Sequence, residues 1–149
     1  MSDFDIAIIG SGPGGYVCAI RAAQLGLSVC CVEKSETLGG TCLNVGCIPS
    51  KSLLHTSYLF KQTKDLNKIG ITVSDVQIDI KKMINSKNES VVGLTDGIKF
   101  LFKKNKIIHK KGFGRIVNSN EIEILSDNNS EIIKAKNIVI ATGSEVSTP

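Results

Sequence analysis

A strand, a glycine-rich turn and a helix follow one another directly at the start of this chain, and no other feature limits its fold so strongly. Phe4-Asp5-Ile6-Ala7-Ile8-Ile9 is a β-branched run suited to a strand buried on both faces of a parallel sheet. Gly10-Ser11-Gly12-Pro13-Gly14-Gly15 comes next and carries the G-x-G-x-x-G pattern at Gly10, Gly12 and Gly15. Residues 16–25 are rich in alanine and other tolerable helix formers, and Gly26 stands where a helix C-terminus favours a left-handed residue. Residues 28–32 read as a second strand, with Glu33 at its end, 18 positions after Gly15. The glycine pattern alone is a weak signal. With strand, helix and acidic residue all in place it marks a dinucleotide-binding βαβ unit. Gly10 permits the tight turn, Gly12 lets the backbone approach a pyrophosphate, and Gly15 allows helix to pack closely on strand. The free N–H groups of the helix start favour the anion. Glu33 would accept hydrogen bonds from a ribose diol, so an adenosine ribose without a 2′-phosphate is the natural occupant.

The rest of the chain extends this unit. Residues 50–64 read as a helix, with Pro49 fitting the first turn and Leu53, Leu54, Tyr58 and Leu59 offering an apolar side. Gly70 and its polar neighbours break it. A second helical pattern covers residues 78–104, where Ile80, Ile84, Val91, Leu94, Ile98, Leu101 and Phe102 keep one stripe, although Gly93 and Gly97 weaken it. The two helices are expected to pack together. In the last third, Ile107-Ile108, Arg115-Ile116-Val117, residues 121–125 and Glu131-Ile132-Ile133 are short strand-like runs. Gly112, Asn118-Ser119-Asn120 and Asp127-Asn128-Asn129 separate them, which predicts a small antiparallel meander. Asn137-Ile138-Val139-Ile140 reads as a further buried strand, ending in Ala141-Thr142-Gly143-Ser144. The expected fold is α/β: a Rossmann-like parallel sheet with a helical-hairpin insertion and a small antiparallel β-meander, one domain over residues 1–149.

Composition narrows the partners. A chain of 149 residues that is 42% hydrophobic can bury one core. The net charge of +4 comes almost entirely from lysine, since Arg21 and Arg115 are the only arginines. Lys103, Lys104, Lys106, Lys110 and Lys111 form the densest cluster and read as a solvated surface rather than a nucleic-acid patch. Trp is absent and aromatics are scarce, which argues against base-stacking platforms. No run of about 18 apolar residues is present, so no membrane-crossing helix is expected. The apolar run at Phe4 starts too early for a signal or transit segment. A reducing compartment is therefore expected, the bacterial cytoplasm by preference or the mitochondrial matrix after processing. Paired cysteines in such a place are catalytic or redox-sensing rather than structural.

Of the five cysteines, Cys18, Cys30 and Cys31 read as small buried hydrophobes in the first helix and second strand. Cys42 and Cys47 stand apart, in Gly39-Gly40-Thr41-Cys42-Leu43-Asn44-Val45-Gly46-Cys47-Ile48-Pro49-Ser50-Lys51. A zinc site would want a shorter pair spacing and a second pair of ligands nearby, so no metal is expected. The stretch closely resembles the active-site segment of the dihydrolipoamide dehydrogenases, a branch of the class I pyridine nucleotide-disulfide oxidoreductases. Glutathione, trypanothione and mercuric reductases are similar but typically differ at Leu43, Ile48 or Ser50. Ser50-Lys51 argues against the glutathione reductase group, where lysine is common at the Ser50 position, and Leu53-Leu54-His55 also looks like the lipoamide branch. The resemblance runs from the first strand to Ala-Thr-Gly-Ser-Glu-Val, essentially the whole chain.

That resemblance implies a redox disulfide between Cys42 and Cys47, and bound FAD. Gly10, Gly12, Gly14 and Gly15 would lie at the pyrophosphate and Glu33 on the adenosine ribose. The segment from Lys34 to Cys42, with Gly39, Gly40 and Thr41, would wrap the cofactor. Lys51 would sit near the reactive edge of the flavin, Gly114 would approach the adenine, and Ala141, Thr142, Gly143 and Ser144 would close over it. Cys47 is implied as the flavin-facing sulfur that forms the charge-transfer thiolate, and Cys42 as the thiol that exchanges with dihydrolipoamide. In the complete protein NAD+ accepts the electrons, and the substrate is carried on the lipoyl domain of 2-oxoacid dehydrogenase complexes. The NAD domain and the interface domain of the homodimer, with its His-Glu base, are not recognisable here. His55 and His109 lack that context. The 149 residues are thus expected to be the N-terminal, FAD-binding part of a longer enzyme, inactive alone. The alternatives are a related flavin disulfide reductase of the glutathione or mercuric type, or a non-catalytic FAD-binding module.

Geometry sets a condition on the disulfide. Five residues apart in a regular α-helix places two Cα atoms ~8.7 Å from each other. A disulfide needs less than about 7 Å. The chain is therefore expected to be irregular around Val45-Gly46, with Gly46 supplying the freedom.

Overall fold

In the computed structural model, which describes residues 3–126 and 129–147, the β-branched N-terminal run forms β1 (Phe4–Ile9) and the alanine-rich stretch forms α1 (Pro13–Gln24). β2 (Val29–Glu33), α2 (Gly40–Asn44) and α3 (Cys47–Asp65) follow, then a 3₁₀ turn (Leu66–Ile69) and α4 (Ile80–Lys104). β3 (Ile108–Lys111), β4 (Phe113–Asn118), β5 (Glu121–Ser126) and β6 (Asn129–Ile140) complete the chain. The six strands lie in the order β3-β2-β1-β6-β5-β4. β3, β2, β1 and β6 run parallel to their neighbours, whereas β4 and β5 are antiparallel additions to β6. This is the expected α/β architecture.

The strand periodicity of two sorts the core. Ile8, Val29 and Cys31 point to the helical side, where they pack with Ala19 and Ala22 of α1, Ile98 and Phe102 of α4, and Leu38 and Leu43. Ala7, Ile9, Cys30 and Val32 point the other way, against Ile122, Ile124 and Ile133 of the meander. Both faces of β1 and β2 are thus covered, which is why these strands read as uninterrupted apolar runs. Each fully buried Ile or Val contributes roughly 1.5–3 kcal/mol of transfer free energy.

Two expectations need correction in detail. The Ile107-Ile108 run does not join the meander. β3 pairs parallel with β2, Cys30 opposite Ile108 through Glu33 opposite Lys111. Gly112, at φ +152°, then donates its N–H to the Glu33 carbonyl at 2.9 Å and turns the chain out of the sheet. Secondly, the 131–133 and 137–140 runs are one strand. β6 pairs with β5 through its first half and with β1 through its second, because Lys134, Ala135 and Lys136 between them contain no turn former. The helix expected over residues 78–104 is observed: α4 passes unbroken through Gly93 and Gly97, where a β-carbon would meet open space. Glycine there costs only its propensity, about 1 kcal/mol each. The predicted turn at Asp127 and Asn128 lies outside the described residues.

α4 begins at a capped end, Asp79 accepting the Lys82 N–H at 3.0 Å. Only the C-terminal half of its stripe is buried, at Thr95, Ile98 and Phe102, while Ile80 and Ile84 stay exposed. α3 packs along it as the expected hairpin. None of the described helices is long and apolar enough to cross a membrane.

Candidate active site

The glycine turn is built by close approach. Gly10 takes φ +99°, and a β-carbon on it would collide with the Ala141 carbonyl. A β-carbon on Gly15 would collide with the Gly10 carbonyl, which is how helix α1 reaches strand β1. Gly14, by contrast, faces open space. The carboxyl ends of β1, β2 and β6 meet above this turn, the place where parallel sheets receive ligands. There a cleft of about 350 Å³ is lined by Gly10, Glu33, Lys34, Gly114 and Thr142 to Ser144, with Ile9, Val32, Gly112, Phe113 and Glu145. Seven of the residues singled out from the sequence therefore share one concavity. Gly114 lines it because its missing side chain admits Ile9 and Val32, whose atoms would lie 3.0 and 3.4 Å from a β-carbon.

Glu33 is 7% exposed and fully engaged on one oxygen. Its Oε2 accepts the Ser11 N–H at 2.8 Å and the Ser11 hydroxyl at 2.7 Å. Its Oε1 accepts the Ser35 N–H at 2.8 Å. Burial alone would raise this carboxyl, but the hydrogen bonds from Ser11 and Ser35 outweigh it and hold the group below its ordinary value. At the mouth, the Lys34 ammonium lies 2.7 Å from Glu145, joining the end of β2 to the segment after β6. Ser11, Ser35, Phe113 and Glu145 were not singled out from the sequence. Ser11 alone had a signal there, a polar residue locked between two fingerprint glycines.

The cysteine segment docks onto the same turn. The Gly39 N–H donates to the Ser11 carbonyl at 3.0 Å. Gly40, at φ +59°, comes so close to Gly12 that a β-carbon on it would sit 2.6 Å from the Gly12 Cα. Asn44 braces this approach, its amide donating to the Leu38 and Gly40 carbonyls at 3.1 and 2.9 Å while its oxygen accepts the Thr37 hydroxyl at 2.7 Å. Thr41, Cys42, Cys47 and Lys51 lie on this segment outside the cleft lining.

Between the two cysteines the helix is interrupted. α2 ends at Asn44, Val45 takes φ −127° and ψ −36°, Gly46 takes φ −103° and ψ −101°, and α3 restarts at Cys47. The Val45 and Gly46 N–H groups both donate to the Thr41 carbonyl, at 3.0 and 2.7 Å. The Gly46 carbonyl accepts the Ser50 N–H at 3.0 Å and the Ser50 hydroxyl at 2.8 Å, which seats α3. Gly46 keeps a negative φ, so the break does not depend on a left-handed residue. The kink sets the Cys42 and Cys47 thiols near one another. The neighbouring Cys47 thiol and partial burial raise the Cys42 thiol, with the nearby Lys51 charge opposing them. Cys47 is exposed and Cys42 half-buried. The remaining thiols behave otherwise: burial pushes Cys30 and Cys31 up to about 12. Among the described residues no cluster of three His, Cys, Asp or Glu side chains could hold a metal.

Comparison with known proteins agrees with this fold. The mitochondrial dihydrolipoyl dehydrogenase of Mesocricetus auratus is 53% identical over 147 residues, 97% of this chain and 31% of that protein. The Homo sapiens enzyme of the same name is 52% identical over 97% of this chain and 29% of its own length. The chain thus spans under a third of the length of the curated relatives it matches. Among solved structures, the Cu(II) complex of the HOCl-induced flavoprotein disulfide reductase RclA from Escherichia coli superposes with a TM-score of 0.82 at 27% identity, covering 100% of this chain and 30% of that one. The model of the pyridine nucleotide-disulphide oxidoreductases matches residues 4–149, and the chain belongs to that family.

Proposed function

We propose that this chain is the FAD- and disulfide-bearing part of a dihydrolipoamide dehydrogenase, in which Cys42 and Cys47 oxidise dihydrolipoamide. The observation that carries this reading is the broken helix that sets the two thiols near one another beside the glycine turn. The family carries FAD, with NAD in the full-length protein. The residues fit the adenosine half of such a group. A glycine turn that β-carbons would fill, the positive N-terminal end of α1 and the ionised Glu33 suit a pyrophosphate and a ribose hydroxyl. A flavin cofactor held by the glycine turn and Glu33 would supply an acceptor for the electron pair and a route for it to NAD+ in the full-length protein.

On the chain's own residues the exchange balances as follows. A substrate thiolate attacks the Cys42 Sγ of the oxidised pair, the Cys42–Cys47 bond breaks, and Cys47 leaves with the electron pair. The second substrate thiol, giving up its proton, closes on the first sulfur and releases Cys42. The substrate has lost two electrons and two protons, and the pair is a dithiol. Exposed Lys51, one turn beyond Cys47, adds a positive charge beside the sulfurs. Dihydrolipoamide borne on a lipoyl domain, a homodimeric full-length protein and a reducing compartment complete the proposal. Bacterial cytoplasm and mitochondrial matrix both meet the last condition, and the relatives named above are mitochondrial.

The identity of 52–53% to dihydrolipoyl dehydrogenases favours this substrate over that of a more distant disulfide reductase at 27%. The oxidised chain, treated with equal thiol concentrations of dihydrolipoamide or glutathione, tests the choice. Dihydrolipoamide is expected to reopen the Cys42–Cys47 link far faster. Equal rates, or a preference for glutathione, would point to the glutathione-type reading instead.

A further inference from the structure

We infer that Asn44 is the positioning residue of the cysteine pair: its side-chain amide fixes α2, and with it the Cys42 sulfur, where Cys47 closes on it. The inference rests on the redox reading above and names what holds the pair ready. The two sulfurs ride on separate elements, Cys42 inside α2 and Cys47 at the first position of α3. α3 has 19 residues, and the Ser50 N–H and hydroxyl seat its first turn on the Gly46 carbonyl at 3.0 and 2.8 Å. α2 has five, far below the ~12–15 residues a helix needs to stand alone. Its start is weakly held. Gly39 offers no side-chain cap, and the Leu43 N–H reaches the Gly39 carbonyl only at 3.5 Å.

Asn44, the last residue of α2, supplies the missing hold. Its amide N–H groups donate back to the Leu38 and Gly40 carbonyls at 3.1 and 2.9 Å, and its oxygen accepts the Thr37 hydroxyl at 2.7 Å. Both carbonyls belong to fixed points: Leu38 is 1% exposed in the core, and Gly40 is pressed against Gly12. The side chain therefore ties the end of α2 to the frame of the glycine turn. Thr37 orients the amide, since its hydroxyl takes the oxygen and leaves both N–H groups turned toward the carbonyls. The effect on the pair passes through the backbone of α2, two residues from Cys42. Without it α2 is freer, the thiols spend less time near one another, and the effective concentration of one sulfur at the other falls.

The chain equilibrated in mixtures of reduced and oxidised glutathione tests this, with acid quenching and peptide mass mapping to read the fraction closed. Chain dithiol and glutathione disulfide exchange for the Cys42–Cys47 disulfide and two glutathione molecules, so two electrons and two protons pass from chain to glutathione. Asn44→Ala is expected to lower the equilibrium constant for closing about tenfold, equivalent to a reduction potential about 30 mV higher. Thr37→Val removes only the orienting hydroxyl and should lower the constant about threefold. Asn105→Ala loses a comparable amide bond, to the Leu101 carbonyl at the C-terminal end of α4, and should match wild type. A merely structural role for Asn44 would weaken oxidised and reduced chain alike and leave the constant unchanged. That result would overturn the inference, as would an equal fall in Asn105→Ala. Should Asn44→Ala fail to fold, Thr37→Val decides alone, and a constant equal to that of wild type overturns the inference. In each of these cases wild type still closes and the redox reading stands. A wild-type chain that never joins Cys42 to Cys47 removes the redox reading and this inference together.

Discussion

The floor of the nucleotide cleft and the cysteine turn lie against each other, yet they are held in different ways. In the floor, Gly10 and Gly15 leave no room for a β-carbon, and Ser11 and Glu33 spend their polar atoms on one another. Position there is set by packing and by satisfied buried hydrogen bonds. In the cysteine turn the backbone bends through exposed Val45, Cys47 faces solvent, and the Cys42 thiol is merely half-buried. Packing constrains residue identity little there, in keeping with the redox role proposed for the pair. The difference teaches that the two halves of the site should fail differently, the first by unfolding and the second by losing reactivity with the fold intact.

Substitutions in the floor should break most. Gly15→Ala is expected to destabilise the chain by about 3 kcal/mol or more in urea unfolding, because its β-carbon meets backbone that cannot yield. Gly14→Ala, one residue away and facing open space, should stay within about 1 kcal/mol of wild type. Similar losses at both positions would mean that helix propensity, not close approach, governs the turn.

Next in size is Glu33→Ala, which strands the buried Ser11 N–H and hydroxyl and should cost about 2–3 kcal/mol. A loss near zero would show that the floor tolerates unpaired groups. The pH profile follows from the same burial. Burial holds His109 below its ordinary 6.5, against the nearby Glu33 charge and helped by that of Lys99. Both His109 and Glu33 have depressed folded values, so their stabilisation is complete above the unfolded values and is lost as pH falls, from about 6.5 for His109 and from 4.5 for Glu33. Cys30 and Cys31, pushed up to about 12, work in the other direction: stability is full below 9.0 and falls as pH rises towards 12. Melting temperature against pH should therefore decline on both sides of a plateau, and Cys30→Ala should soften the alkaline side.

The smallest stability effect is expected at the reactive end. Cys42→Ser and Cys47→Ser should each move the melting temperature by no more than about 2–4 °C. Both should abolish reversible thiol loss. A thiol reagent should modify Cys47 quickly in the native chain and reach Cys30 and Cys31 only on unfolding.

The βαβ beginning was legible from Phe4 to Glu33 because turn glycines, strand periodicity and helix propensity all agree there. The break between Cys42 and Cys47 was legible too, from the mismatch between a five-residue spacing and helical geometry. The sheet topology beyond residue 106 was not. Ile108 and its neighbours look alike whether they pair with β2 or with a hairpin partner, since pairing is decided by which edge lies open. β6 escaped because one strand changes partner at Ala135 without any local marker. Ser35 and Glu145 escaped for a similar reason: their roles come from neighbours distant in sequence or from loop conformation, as in the Lys34–Glu145 pair, 111 residues apart.

The central claim is that Cys42 and Cys47 form a reversible redox pair beside a nucleotide cleft. Its most direct test is mild oxidation of the purified chain followed by peptide mass mapping. The account predicts that one cross-linked peptide pair joins Cys42 to Cys47, that two thiols disappear, and that a dithiol restores both while Cys18, Cys30 and Cys31 stay reduced. Peptides in which Cys42 and Cys47 remain separate and reduced, or a link that forms through Cys18 instead, would contradict it.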